Sequence, residues 1–222
     1  TYCVYIDSRA NRRSVELMTP IELINCNKSY KGNEIFSGIS YKFVESVYFL
    51  KGKNGSGKST LLRCICDIEK FSKGKIINNN KNFLYLTNEP LNHNYLTISE
   101  NISLLFSIHS LRINKSMESV INSLYSSEQL ETFSEQASLG MNLKIGCTLL
   151  AAIDHWDLIV LDETLSGVDK ESRDILLDLL NKCVNNGSCA IIVSHNDIEN
   201  GCKFNYKVLS IKGDKLCEEI NK

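Results

Sequence analysis

The sequence predicts an α/β fold with a mainly parallel central sheet, an N-terminal antiparallel β subdomain and a helical lobe. Uninterrupted apolar runs at residues 47–50, 158–161 and 190–193 are typical of strands that are buried on both faces. Alternating polarity between residues 21 and 43 indicates an antiparallel meander. Residues 97–153 begin with a capping-box sequence and lack strand signals, so we expect them to form the helical lobe.

The remaining elements follow from local patterns in chain order. Residues 1–20 are expected to be an N-terminal extension, and residues 21–222 the folded domain. We predict strands at 21–26, 74–77 and 83–86, a turn at 27–33, an amphipathic helix at 169–184 and a hairpin at 208–218. A further helix, expected to continue through residue 150, begins at Ser138.

Composition excludes several classes of protein. The chain of 222 residues is 43% hydrophobic and 23% charged, which is ordinary for a globular protein. Its formal net charge of −1 argues against a strongly electrostatic nucleic-acid binder, so we expect no nucleic-acid partner. No apolar run is long enough to span a bilayer, and the N-terminal residues do not resemble a signal peptide.

The nine cysteines are scattered and form no C-x-x-C pair, and the four histidines lie far from paired cysteines. The spacing of a zinc site is therefore absent from the sequence. Free thiols in apolar segments behave as small hydrophobic groups. A reducing, cytoplasmic setting is the simplest expectation.

Residues 52–60 read Gly-Lys-Asn-Gly-Ser-Gly-Lys-Ser-Thr and match the phosphate-loop pattern G-x-x-x-x-G-K-[ST]. They lie between a predicted strand and a predicted helix, which is the context that the motif requires. The backbone N–H groups of such a loop and the N-terminus of the following helix form a nest for phosphate oxygens. Lys58 can reach the terminal phosphates, and the Ser59 hydroxyl can ligate Mg²⁺. The alternative is a glycine-rich turn that matches by chance. The predicted nucleotide contacts are Gly52, Asn54, Gly55, Ser56, Gly57, Lys58, Ser59 and Thr60.

Polar residues directly follow two of the buried runs. We expect Asp162 to hold Mg²⁺ through its water shell, since this hard cation prefers oxygen ligands and keeps several waters. Glu163 is placed to polarise or deprotonate an attacking water. The alternative for both is a solvated strand end. His195 follows the run at 190–193, so we expect it at the sheet edge where ligands of open α/β sheets collect. The alternative is a structural role, which is common for a lone histidine.

Together these residues resemble the ATP-binding domains of ABC transporters, from about residue 21 to residue 211. Tyr30 occupies the position of the family's adenine-stacking aromatic, and residues 52–60 resemble its Walker A loop. Residues 85–88 resemble its Q-loop, and residues 96–101 resemble the segment that opens its helical lobe. Residues 137–141 lie at the signature sequence, 158–163 resemble Walker B, 166–169 the D-loop, and His195 the switch histidine. The resemblance implies a P-loop NTPase that hydrolyses ATP with Mg²⁺, with Glu163 and His195 as catalytic residues.

The sequence departs from the family pattern in the Q-loop, in the signature and directly after the Walker B glutamate. Asn88, expected to contact the metal, replaces glutamine in the Q-loop and is one methylene shorter. Only Ser138 and Gly140 remain of the usual Leu-Ser-Gly-Gly-Gln signature, since leucine and methionine replace a glycine and the glutamine. Thr164 stands where proline usually follows the glutamate. Similar Ser-Leu-Gly-Met variants occur in the antibiotic and peptide exporter-like branch of the family.

The resemblance also implies a head-to-tail dimer in which ATP lies between one chain's Walker A loop and the partner's signature. Ser138 and Gly140 are then part of the nucleotide site of the opposite chain. We expect a homodimer or heterodimer that drives export through a separate transmembrane permease subunit, at the inner face of the cell membrane. A family member serving a non-transport process, such as iron–sulfur cluster assembly, and a catalytically weak partner in a heterodimer are the alternatives.

Overall fold

Two β-sheets and a group of helices make up the part of the chain described by the computed structural model, residues 20–194, 198–212 and 215–219. The strands are β1 (Ile21–Tyr30), β2 (Asn33–Phe43), β3 (Val47–Lys51), β4 (Lys73–Ile77), β5 (Phe83–Leu86), β6 (Leu158–Asp162), β7 (Cys189–Val193), β8 (Tyr206–Lys212) and β9 (Lys215–Glu219). The α-helices are α1 (Lys58–Ile65), α2 (Ile98–Ile108), α3 (Lys115–Leu124), α4 (Ser127–Leu130), α5 (Leu139–Cys147) and α6 (Lys170–Asn185). Short 3₁₀ turns span Thr148–Ala151, Thr164–Gly167 and Ile198–Gly201.

The central sheet has the strand order β5-β6-β7-β3-β8-β9. Its first five strands run parallel, and β9 pairs antiparallel with β8. Every residue of β6 and β7 is buried, as expected for strands covered on both faces. The predicted α/β class with a mainly parallel sheet is confirmed.

The first two strands, β1 and β2, form a three-stranded antiparallel sheet with β4, in the order β2-β1-β4. The predicted turn at 27–33 is wrong, because β1 continues to Tyr30 and the turn consists of Lys31 and Gly32 alone. Both turn residues have positive φ angles, 48° and 86°, as tight hairpin turns require. The polar residues after Cys26 extend the strand because their backbone pairs with β2 and their side chains find local partners. Asn27 Oδ1, for example, accepts from Gly38 N at 3.0 Å.

Helices α2 to α5 lie in sequence between β5 and β6, where we predicted helical structure. The capping box at the start of α2 is present: Thr97 Oγ1 accepts from Glu100 N at 3.2 Å, and Thr97 N donates to Glu100 Oε2 at 2.9 Å. The helix predicted from Ser138 through residue 150 is α-helical only as far as Cys147. The 3₁₀ turn Thr148–Ala151 follows it directly.

Two apolar clusters cover the two faces of the central sheet. One joins Phe49 and Ile159 to the helices, including Leu105 and Leu180. The other joins Tyr48, Val160 and Ile191 to α1 and the antiparallel sheet. Within the described ranges, the helices are all too short or too polar to cross a membrane.

Candidate nucleotide site

The glycine-rich loop connects β3 to α1, and two of its glycines are required by close packing. Gly57 caps α1 with a φ of 88°, and an added Cβ would lie 2.6 Å from Ile35 Cγ2. An added Cβ on Gly52 would lie 2.7 Å from Ser56 Oγ. Real Cβ atoms do not approach other atoms so closely, so a side chain at Gly57 would have to displace Ile35, and one at Gly52 the Ser56 hydroxyl.

Lys58 is the first residue of α1, and its side chain folds into the loop. Its Nζ donates to the carbonyl oxygens of Gly52 at 2.9 Å and Lys53 at 3.2 Å. Only 7% of the residue is exposed. The ammonium is therefore held inside the loop by two backbone carbonyls.

The other predicted contact residues of the loop differ in their burial. Asn54 and Gly55 are exposed at the tip of the loop, Ser59 is half-buried and Thr60 is buried in α1. Ser56 Oγ is buried and has no hydrogen-bond partner among the described residues. A buried hydroxyl without a protein partner suits a loop that binds a polar ligand, because an unsatisfied buried polar group is costly.

Asp162 is the last residue of β6, and the two oxygens of its buried carboxylate differ in their hydrogen bonding. Its Oδ2 accepts a hydrogen bond of 3.0 Å from the Tyr85 hydroxyl. Its Oδ1 is buried and has no hydrogen-bond partner within the described residues. Burial raises the pKa of the Tyr85 hydroxyl, and the neighbouring Asp162 charge raises it further, so Tyr85 stays a proton donor.

Glu163 turns the chain sharply after β6. Its φ of 62° is left-handed, a conformation that costs a non-glycine residue about 1–2 kcal/mol. Its N–H donates to the carbonyl oxygen of Val193 at 3.0 Å, which ties the turn to the end of β7. The 3₁₀ turn Thr164–Gly167 follows directly.

The parallel strand order brings the loop and the acids to one edge of the sheet. β7 pairs with β3 on one side and with β6 on the other. The phosphate loop therefore begins at the carboxyl edge of the sheet, after β3. Asp162 ends β6 at the same edge, two strands away. His195 follows β7, the strand between them, but lies outside the described residues.

Asn88 follows β5 at the same edge of the sheet but is exposed, unlike the other predicted metal contacts, Ser59 and Asp162. It lies two residues beyond β5, which pairs with β6, and its side chain is exposed. The backbone N–H of the next residue, Glu89, donates to Thr87 Oγ1 at 3.1 Å and shapes the loop.

Tyr30 lies at the end of β1 with 41% of its surface exposed. Its hydroxyl donates to Glu69 Oε2, and the Lys28 ammonium lies 4.7 Å from the centre of its ring. The adjoining strand β2 reaches the phosphate loop through Ile35 and Phe36, whose side chains border Gly57. The ring therefore stands on the same hairpin that packs against the loop.

The signature residues lie beside the turn that follows Glu163. Ser138 is exposed and caps α5, accepting from Met141 N at 3.2 Å. An added Cβ on Gly140 would lie 2.9 Å from the carbonyl oxygen of Gly167. The start of α5 and the predicted D-loop are thus in direct contact within one chain.

Sequence reasoning missed three polar residues around the site: Tyr85, Glu69 and Lys144. Lys144 in α5 is buried and donates to the Leu124 carbonyl oxygen at 2.8 Å and to Ser172 Oγ at 3.1 Å. A lysine between two apolar residues of a buried helix was the available signal for it. Tyr85 and Glu69 carried no comparable local signal.

A family model and several curated relatives match this chain. The family model described as ABC transporter matches residues 38–166. The chain is 30% identical over 161 residues to the cytochrome c biogenesis ATP-binding export protein CcmA of Rickettsia felis, covering 68% of this chain and 80% of that protein. It is 24% identical over 195 residues to the ribose import ATP-binding protein RbsA of Bacillus subtilis, covering 79% of this chain and 40% of that protein.

The fold is also similar to that of a solved ATP-binding cassette, MJ0796, in a dimeric post-hydrolysis state bound to ADP and Pi. The TM-score is 0.70 at 19% identity, covering 90% of this chain and 97% of the other. The chain spans well under two thirds of the ribose import protein, since 40% of that longer relative is matched.

Proposed function

The chain belongs to the ABC transporter family of ATP-binding proteins, and from this premise we propose that it binds ATP with Mg²⁺ and hydrolyses it to drive transport through a membrane subunit. One observation carries the proposal: the Lys58 ammonium inside a glycine loop and the buried Asp162 carboxylate lie at the same edge of a parallel sheet. A cation and a carboxylate so placed suit a metal-bound triphosphate.

The loop residues bind the phosphates in this proposal. The backbone N–H groups from Gly52 to Thr60 line the nest, and the positive end of α1 lies at its base. Lys58 exchanges its two carbonyl contacts for the terminal phosphates. Ser56 Oγ provides a buried hydroxyl that can donate to a phosphate oxygen.

The donor set fits Mg²⁺. Asp162 Oδ1 is a buried carboxylate oxygen without a protein partner among the described residues, and the Ser59 hydroxyl is a second hard donor near the loop. When bound, the cation would neutralise negative charge on the phosphates. Asn88, the third proposed contact, would have to approach from its exposed loop.

Glu163 is the proposed general base. Its left-handed backbone, fixed by the hydrogen bond to Val193, directs the chain beyond the strand end rather than along it. A carboxylate there can accept a proton from a water molecule that attacks the terminal phosphate. His195, which follows β7, is proposed to orient the same phosphate.

Two chains are proposed to complete each site. The Ser138 oxygen already accepts from Met141 N, but its hydroxyl proton is left to donate, and the residue is exposed. Together with the N-terminal end of α5 it can bind a phosphate held by a second chain. The solved MJ0796 cassette, a dimer bound to ADP and Pi, supports this arrangement.

The membrane partner and the direction of transport are supported by different observations. The two relatives are named as ATP-binding proteins of import and of export. We therefore propose a permease subunit as the partner and the inner face of the cell membrane as the location. Relatives of both directions match the chain. The proposal of export therefore depends on the Ser138-Leu139-Gly140-Met141 variant alone.

Turnover of Mg-ATP by the purified protein tests the enzymatic part. We expect Glu163→Gln to abolish phosphate release, while Glu118→Gln, a matched change at an exposed glutamate of α3, keeps it. Equal turnover in Glu163→Gln and the unaltered chain would remove Glu163 from the mechanism, and no turnover in any of them would favour a catalytically weak partner.

Affinity capture from membranes tests the transport part. We expect a multispanning protein to be captured with the unaltered chain. Capture without any multispanning protein, in a preparation that hydrolyses ATP, would instead favour a family member that serves a non-transport process.

A further inference from the structure

A cluster of four polar residues, which we call the Glu69 cluster, includes Tyr30 and has no part in the proposed chemistry of hydrolysis. Its members are Lys28, Tyr30, Arg63 and Glu69. The Glu69 carboxylate accepts from the Tyr30 hydroxyl, lies 2.9 Å from Lys28 Nζ and accepts from Arg63 Nε at 2.7 Å. One carboxylate therefore binds three donors from β1 and α1.

The charges of the cluster are held in a fixed arrangement. Lys28 is only 7% exposed, and its Nζ also donates to the Lys70 carbonyl oxygen at 2.8 Å. Burial opposes the charged form of Glu69, but hydrogen bonds from Tyr30, Lys28 and Arg63 outweigh it and lower its pKa to about 2. Charge-assisted hydrogen bonds of this kind are stronger than neutral ones and restrict the groups that make them.

The cluster leaves one face of the tyrosine ring for a ligand. The Lys28 ammonium lies 4.7 Å from the ring centre and covers one face in a cation–π contact. Tyr30 as a whole is nevertheless 41% exposed. The face opposite Lys28 is therefore the one that remains for a ligand.

The cluster also connects this ring to the phosphate loop. Arg63 belongs to α1, the helix that begins with Lys58. Lys28 is paired across the hairpin with Phe36, whose ring borders Gly57. Two independent paths, one through the helix and one through the hairpin, therefore fix the position of Tyr30 relative to the loop.

We propose that the Glu69 cluster is a positioning device that holds Tyr30 before nucleotide binding as a stacking surface with a single open face. This inference rests on the proposed function, since it assigns Glu69, Lys28 and Arg63 to the nucleotide site already described. An exposed tyrosine that is free to change rotamer must be immobilised when a base stacks on it. Holding the ring in advance removes that cost, which corresponds to about two- to tenfold in affinity.

The experiment compares two ligands by titration calorimetry: ATP, which has a base, and inorganic tripolyphosphate, which has none. Tyr30→Phe keeps the ring and removes its link to Glu69, and Lys28→Met removes the cation from the covered face. We expect each variant to bind ATP about two- to tenfold more weakly and tripolyphosphate as tightly as the unaltered chain. Tyr41→Phe is the matched control, because Tyr41 donates an equivalent hydrogen bond of 2.8 Å to Glu218, a residue of β9.

Thermal unfolding of each variant separates loss of the fold from loss of the contact. Unchanged ATP affinity in a folded Tyr30→Phe and Lys28→Met would overturn the inference, as would an equal loss for ATP and tripolyphosphate. If the unaltered chain binds tripolyphosphate as tightly as ATP, the inference fails while phosphate binding by the loop stands. If it binds neither ligand, the proposed function and the inference fail together.

Discussion

The hydroxyl of Tyr85 donates to Asp162 Oδ2 at 3.0 Å, across 77 residues of sequence. The parallel pairing of β5 with β6 creates this contact, because Tyr85 lies opposite Val160 and Asp162 is two residues further along β6. The bond occupies one carboxylate oxygen and fixes the orientation of the other. Asp162 Oδ1 is consequently the oxygen that remains for a cation.

Tyr85→Phe tests whether this orientation matters. We expect the Mg²⁺ concentration for half-maximal ATP turnover to rise about three- to tenfold, because one hydrogen bond to a charged group is lost while the ring still packs. A Mg²⁺ titration of phosphate release measures it, with Tyr95→Phe, at an exposed tyrosine, as the control. An unchanged Mg²⁺ requirement would show that Asp162 needs no support from Tyr85.

Replacing two loop glycines with alanine, one at a time, distinguishes the cost of crowding from the cost of a left-handed backbone. Gly57 and Gly55 both have left-handed φ angles, 88° and 77°. An added Cβ would lie 2.6 Å from Ile35 at Gly57, whereas at Gly55 it meets no described atom within 4 Å. We expect Gly57→Ala to lower the free energy of unfolding by about 1–3 kcal/mol more than Gly55→Ala, measured by urea denaturation. Equal losses would mean that the loop relaxes away from Ile35.

The phosphate loop and the acidic pair could be predicted from the sequence because each is a local pattern. The glycine spacing fixes the loop, and an apolar run followed by Asp162 fixes the strand end. The contacts of Tyr85 and Glu69 depend on strand register and on how α1 packs against β1, which a single sequence does not encode locally. The length of β1 was underestimated for the same reason, since its polar half is stabilised by pairing with β2.

Acid pH should weaken the Glu69 cluster. The pKa of Glu69 is lowered from its usual value near 4.5 to about 2, so the stability contributed by its ionised form is complete above about pH 4.5 and is lost as the pH falls toward 2. The free energy of unfolding should therefore fall more steeply between about pH 5 and pH 3 in the unaltered chain than in Glu69→Gln.

Denaturant unfolding at several pH values provides this comparison. Glu118→Gln, at an exposed glutamate of α3, should follow the unaltered chain. Parallel curves for Glu69→Gln and the unaltered chain would contradict the assigned ion pairs.

A mixture of two inactive variants tests the proposed two-chain site. Lys58→Ala damages the phosphate loop, and Ser138→Arg places a bulky side chain at the start of α5. Alone, each variant has one defect in every site of a dimer, whereas a mixed dimer has one site with both defects and one intact site. We expect mixing to restore phosphate release to a measurable fraction of the unaltered level. No gain over the separate variants would contradict a site shared between chains.

ATP affinity measured by calorimetry on three versions of the chain tests the central claim, that the glycine loop and Lys58 bind a triphosphate. The unaltered chain and Lys53→Ala, a change at the exposed neighbouring lysine, should bind Mg-ATP alike. Lys58→Ala should bind it about ten- to a hundredfold more weakly, since it loses charge-assisted hydrogen bonds to the phosphates. Equal affinity in all three proteins, or no binding by the unaltered chain, would contradict the account.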